Sequence, residues 1–148
     1  MKIGVIGAGR LGICFALLCE QAGYEVVVSD CREDYVKGLQ NHTIETNEPE
    51  VQRMLLESTN LTATTSNQEV IEACDIIYTL VATPSLADGS YDVSSVWQVV
   101  DDFKNSSLKL NGKTLVVGCT TNPGDCEKFA EQLDYFGVEV FYNLEFIA

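Results

Sequence analysis

Three glycines and one aspartate carry the spacing in this 148-residue chain that could do chemistry. Gly7, Gly9 and Gly12 stand as G-x-G-x-x-G, and Asp30 follows Gly12 by eighteen residues. In such a unit the first glycine permits a tight turn. The second leaves the backbone open to a pyrophosphate, and the third lets a helix pack close to a strand. The helix that starts there offers unpaired N–H groups and a partial positive charge to an anion. A carboxylate at the place of Asp30 accepts hydrogen bonds from a ribose diol. An acid there also repels a 2′-phosphate, in spite of the nearby base Arg32, so the pattern points to NAD over NADP. Asp30 also suits a plain strand-end turn.

The elements that must hold these residues are legible around them. Ile3 to Ile6 is a short apolar run, right for a buried parallel strand. Leu11, Cys14, Phe15, Leu18 and Ala22 recur at helical spacing and predict one apolar stripe. Gly23 is placed to stop that helix. Glu25 to Ser29, rich in valine, reads as a second strand with Asp30 at its end.

Strand and helix keep alternating from there. Tyr35, Val36 and Leu39 predict a short helix, and His42 to Asn47 a polar loop. Glu48-Pro49 opens another helix, with Pro49 near its first position and Val51, Met54 and Leu55 inward. Leu61 to Thr64 reads as a strand, and Ser66 to Glu69 as a capping box. Asp75 to Val81 is a strong buried strand, followed by a loop from Ala82 to Asp92. Val93, Val96, Trp97, Val100 and Phe103 mark an amphipathic helix with Trp97 in the core. Thr114 to Gly118 is the fifth strand. A helix from Asp125 buries Cys126, Phe129, Ala130 and Leu133, and Val138 to Tyr142 is the sixth strand.

This alternation predicts an α/β fold, a Rossmann-type doubly wound six-stranded parallel sheet of order 3-2-1-4-5-6. The ligand crevice belongs at the carboxyl ends of the strands. Four loops meet there: Gly7–Gly12, Asp30–Arg32, Ala82–Pro84 and Cys119–Pro123.

Composition narrows the partners. Twenty-two acids against nine Lys and Arg give a formal charge of −13, which opposes nucleic acid and anionic membranes. A phosphate ligand must therefore rest on backbone N–H groups and a few local bases. No apolar run approaches the roughly 20 residues of a membrane span. No signal peptide is evident, so the chain is expected to be cytoplasmic, with its six cysteines reduced. The sequons at Asn41, Asn60 and Asn105 then carry no glycan. Cys14, Cys19 and Cys126 fall in predicted helices and read as small core residues. No metal-ligand spacing occurs, and the single histidine, His42, is assigned nothing.

The loops carry a family resemblance from Met1 to Ala148. KIGVIGAGRLG with Asp30, then Glu48-Pro49, then ACDIIYTLVATPSLADGSYDVSSV occur in order. Cys119-Thr120-Thr121-Asn122-Pro123-Gly124 and Tyr142-Asn143-Leu144-Glu145-Phe146 follow. This series resembles the N-terminal NAD-binding domain of the UDP-glucose/GDP-mannose 6-dehydrogenases, the nucleotide-sugar dehydrogenases. The family has V-x-T-P and D-G-S-x-D in the third segment, S-T-hydrophobic-P-x-G in the fourth and N-P-E-F in the last. The chain departs from it at Arg10, where an aromatic is usual. Cys119 stands for Ser, Asn122 for the first Pro, and Leu144 for the Pro of N-P-E-F.

The resemblance implies that Gly7, Gly9, Arg10, Leu11, Gly12, Asp30, Thr83, Thr120 and Glu145 contact the cofactor, NAD. Thr120 and Glu145 are implied to serve catalysis as well, Glu145 by positioning water during thioester hydrolysis. Taken alone, Arg10 suits an ordinary surface arginine, Thr83 and Thr120 suit turn capping, and Glu145 is an acid near a chain end. The family's reaction oxidises the C6 alcohol of a UDP- or GDP-sugar to the uronate. It runs through aldehyde, thiohemiacetal and thioester, with two NAD each taking a hydride. Family members are far longer, so residues 1–148 read as a fragment lacking the central helix and the nucleotide-sugar domain with its catalytic Cys. As it stands the chain is expected to bind NAD without turnover and to meet the sugar only with that missing domain. The alternative is a non-catalytic NAD-binding or sensor module. Phe141, Phe146 and Ile147 are expected to be exposed, so a homodimer in equilibrium with monomer is expected.

Overall fold

The computed structural model describes residues 1–144. Strand β1 (Lys2–Ile6) leads into helix α1 (Arg10–Gln21) and strand β2 (Glu25–Ser29). Helices α2 (Glu33–Gln40) and α3 (Val51–Glu57) precede β3 (Leu61–Thr64), and α4 (Asn67–Ala73) precedes β4 (Ile76–Thr79). Then come α5 (Ser94–Lys104), β5 (Thr114–Val117), α6 (Asp125–Asp134) and β6 (Glu139–Tyr142). The strands form one parallel sheet in the order β3-β2-β1-β4-β5-β6, as the alternation predicts.

Strand alternation splits the core in two. Val5 lies in one apolar cluster and its neighbour Ile6 in the other. Val26 and Val28 go with Val5, together with Ile13, Leu17, Leu39 and Leu55 of α1 to α3. Ile77 goes with Ile6, beside Val70, Val99, Phe103, Phe129 and Leu133 of α4 to α6. Both faces of the sheet are thus covered, which is why its strands read as continuous apolar runs. Trp97 packs edge-on against Phe129, ring centres 4.7 Å apart, at the margin of the second cluster.

Several local expectations change. The buried face of α1 is Gly12, Ile13, Ala16 and Leu17, whereas Leu18 is 57% exposed and Ala22 is an exposed C-cap. Gly12 sets this phase, because a Cβ there would sit 1.9 Å from the Gly7 carbonyl oxygen. That contact turns residues 12, 13, 16 and 17 toward the sheet and leaves the Leu11–Phe15–Leu18 stripe on the flank, where Phe15 meets Tyr78 at 4.4 Å. Pro49 is not at the start of a helix: Glu50 caps α3, and the Glu48 N–H donates to Thr46 Oγ1 at 3.1 Å in the turn before it. Ser66 does cap α4, its Oγ accepting from the Glu69 N–H at 3.3 Å. β4 ends at Thr79, two residues short of Val81. The helical cysteines Cys14, Cys19 and Cys126 are only half-buried; Cys74 and Cys119 are the buried thiols. All six are free. His42 closes α2 in the left-handed region at φ 58°.

Candidate nucleotide site

The carboxyl edge of the sheet is where β1 and β4 diverge into loops. Gly7 leaves β1 at φ 97°, a conformation open to glycine, and its Cβ would lie 2.8 Å from the Leu80 carbonyl carbon. The Gly7 and Ala8 N–H groups both donate to the Ser29 carbonyl, at 2.9 and 3.0 Å, which ties this turn to the end of β2. Gly9 is the N-cap of α1, with no side-chain cap and no acid in the first turn. A Cβ built on Gly9 meets nothing within 4 Å. The loop therefore presents backbone and an uncapped helix terminus to open space, which fits a pyrophosphate.

A cavity of about 430 Å³ opens beside this loop. Gly7 and Gly9 line one side, Asp30 and Arg32 the second, Leu80 to Ala82 the third, and Asn67, Ser95, Gln98 and Val99 the far wall. A polar chain runs along that far wall. Ser29 Oγ donates to Asn67 Oδ1 at 2.7 Å, and Asn67 Nδ2 donates to Asp102 Oδ2 at 2.7 Å. Gln98 Nε2 donates to the other Asp102 oxygen at 3.0 Å. The apolar Ile6, Leu80 and Val99 beside polar groups make a wall suited to a base.

Asp30 is buried at the lip of this cavity, its side chain 8% exposed. Arg32 grips it with both ends of its fork: Nε donates to Oδ1 at 2.7 Å and Nη2 to Oδ2 at 2.8 Å. The Arg32 backbone N–H adds a third bond to Oδ1 at 3.0 Å. Burial pushes the Asp30 carboxyl up, but the Arg32 side chain, backbone N–H and charge together hold it below the usual carboxylate range. The Arg32 guanidinium lies 4.1 Å above the centre of the Tyr35 ring.

The other sequence-predicted residues are spread along the same edge. Arg10 is exposed and its Nε donates to Glu48, at a second cavity of about 310 Å³ next door. Leu11 is half-buried, and Gly12 is buried under the Gly7 turn. Thr83 and Thr120 are half-buried in the loops after β4 and β5, beyond the lining of the larger cavity. Glu145, with Phe146 and Ile147, lies outside the described residues.

The loop after β5 is held by Asn122 and Asp125, in which the sequence shows only a motif departure and a helix start. Asn122 Oδ1 accepts from the Tyr91 N–H at 2.8 Å and its Nδ2 donates to the Tyr91 carbonyl at 2.9 Å. Buried Asp125 accepts from the Asn122 N–H at 3.0 Å and Nδ2 at 2.9 Å, and from Lys128 at 3.2 Å. Burial raises the Asp125 carboxyl, yet these bonds hold it below its ordinary value. Cys119 is buried at the end of β5, and desolvation pushes its thiol up to about 11. Among the described residues no group of three or more His, Cys, Asp or Glu is placed to hold a metal.

The sheet order agrees with the comparisons. The profile of the UDP-glucose/GDP-mannose dehydrogenase family, NAD binding domain, matches residues 1–148. The chain belongs to this family. As its NAD-binding domain, the chain is 30% identical over 156 residues to UDP-glucose 6-dehydrogenase TuaD of Bacillus subtilis, covering 99% of this chain and 33% of that protein. The UDP-N-acetyl-mannosamine dehydrogenase Cap5O of Staphylococcus aureus superposes with a TM-score of 0.87 at 26% identity, over 100% of this chain and 37% of that one. The GDP-mannose dehydrogenase of Pseudomonas aeruginosa gives 0.89 at 21% identity, again over 100% and 37%, and shares the fold. The chain thus spans about a third or less of the length of the curated relatives it matches.

NAD is the cofactor of this domain family, and the open backbone at Gly9 with the cavity beside Asp30 fits it. No helix of the described residues is long and apolar enough to cross a membrane.

Proposed function

We propose that this chain holds NAD for a nucleotide-sugar 6-dehydrogenase that oxidises the C6 alcohol of a UDP- or GDP-sugar to the uronate with two NAD. The observation that carries this reading is the uncapped Gly9 terminus of α1 opening on the same cavity as Asp30. Bound there, NAD supplies the hydride acceptor. The chain's part is to seat the pyrophosphate on the Gly7–Gly12 backbone, the ribose on Asp30 and the base between Leu80 and the α5 wall. Thr83 and Thr120, on the loops after β4 and β5, lie toward the nicotinamide end in this reading. Glu145 is assigned there by resemblance. The sugar and the nucleophilic cysteine belong to a central helix and second domain beyond these 148 residues.

By itself the 148-residue chain binds NAD and makes no NADH. Nucleophilic attack needs a thiolate, and the Cys119 thiol, at the sheet edge, is buried and pushed up to about 11. This favours a purely binding role for the isolated chain, the second reading. Exposed Phe141 and Tyr142 on the edge strand support association of two copies. The proposed compartment is the cytoplasm. Isothermal titration with NADH tests the assignment: saturable binding is expected, and its absence overturns the reading.

A further inference from the structure

We propose that Arg32 sets the coenzyme preference of this domain by competing with the ribose for Asp30. The inference rests on the NAD-binding reading above and extends it to a residue that this reading leaves idle.

A carboxylate has about four acceptor sites. On Asp30 three are taken, all by Arg32: two by the guanidinium fork and one by its backbone N–H. A ribose diol needs two. The backbone bond is local to the turn and stays, so at least one prong of the fork must let go for the diol to bind. Arg32 has somewhere to go. It borders both the larger cavity and the neighbouring one, where Glu45 offers another carboxylate. Its stack on Tyr35 keeps the released charge near the lip.

Two opposite effects follow from one side chain. The ion pair taxes every ligand that uses Asp30, including NADH. The released guanidinium then stands beside the ribose 2′ position, where it offsets the repulsion between Asp30 and a 2′-phosphate. Arg32 thus weakens NADH and supports NADPH, and narrows the gap between them. A lysine would keep the charge without the two-pronged grip.

The test is titration of NADH and NADPH into the purified chain and its Arg32→Ala and Arg32→Lys variants, with circular dichroism as the fold check. Arg32→Ala is expected to tighten NADH about threefold or more, since the pair has one exposed and one buried partner, and to weaken NADPH. Arg32→Lys is expected to tighten NADH while keeping NADPH near the unmutated value. Affinities that stay put, or that fall together in Arg32→Ala, overturn the competition and make Arg32 either idle or a direct coenzyme contact. No NADH binding by the unmutated chain overturns the NAD reading itself and this inference with it.

Discussion

Asn122 pairs with Tyr91 as one strand pairs with another. Its side-chain amide accepts from the Tyr91 N–H at 2.8 Å and donates to the Tyr91 carbonyl at 2.9 Å. Thirty-one residues of chain separate the two. The contact fastens the loop after β4 to the loop after β5.

Asn122→Ala is expected to leave two backbone groups of Tyr91 without partners and to cost roughly 1–3 kcal/mol. Urea unfolding gives the loss, and hydrogen exchange at the Tyr91 amide gives its place. Unchanged exchange at Tyr91 would mean that the two loops hold position without Asn122.

The glycines separate binding from folding. Gly9 faces open space, so Gly9→Val is expected to fold normally and to lose NADH binding. Gly12→Ala brings its Cβ to 1.9 Å from the Gly7 carbonyl oxygen and is expected to cost the fold itself. Thermal melts and NADH titration of the two variants distinguish these outcomes. A Gly9→Val chain that still binds would move the phosphate site away from the loop.

The unmutated chain is expected to favour NADH over NADPH at least about tenfold, a difference of about 1.4 kcal/mol. Asp30→Ala is expected to weaken NADH and to narrow that preference, because it removes both the diol acceptor and the repulsion. Equal or tighter NADPH binding by the unmutated chain would defeat the role given to Asp30.

Acid should weaken the fold through two carboxyls. Asp30 and Asp125 are both held below their ordinary values in the folded state. Their contribution is therefore complete above the ordinary value near 4 and lost as pH falls through the lower folded values. Melting temperatures between pH 7 and pH 3 are expected to stay level with respect to these groups down to about 4 and then to drop. Asp125→Asn is expected to make that drop shallower. An identical acid profile in the variant would remove Asp125 from the account.

Turnover is expected to be absent. With its thiol pushed up to about 11, Cys119 carries only about one thiolate in 10⁴ at neutral pH. Absorbance at the NADH band with UDP-glucose and GDP-mannose should stay at background. Turnover that disappears in Cys119→Ala would make Cys119 catalytic after all.

The sequence alone determined what depends on local order. Three glycines at fixed spacing, an acid at a strand end and the beat of strand and helix are enough for a 3-2-1-4-5-6 sheet and a dinucleotide loop. Each of these signals is read within a single turn, strand or helix, where backbone sterics and periodicity act. The phase of α1 was not legible. Leu11, Phe15 and Leu18 make as good an apolar stripe as Ile13, Ala16 and Leu17, and the Gly12–Gly7 contact chooses between them. The state of Asp30 was not legible either. Sequence puts Arg32 two residues away, but it does not say whether the fork turns onto the carboxylate, as it does here above the Tyr35 ring, or into solvent. Asn122 read as a departure from a motif until the fold brought Tyr91 against it. Asn122 and Tyr91 are 31 residues apart in the chain, and only the fold makes them neighbours.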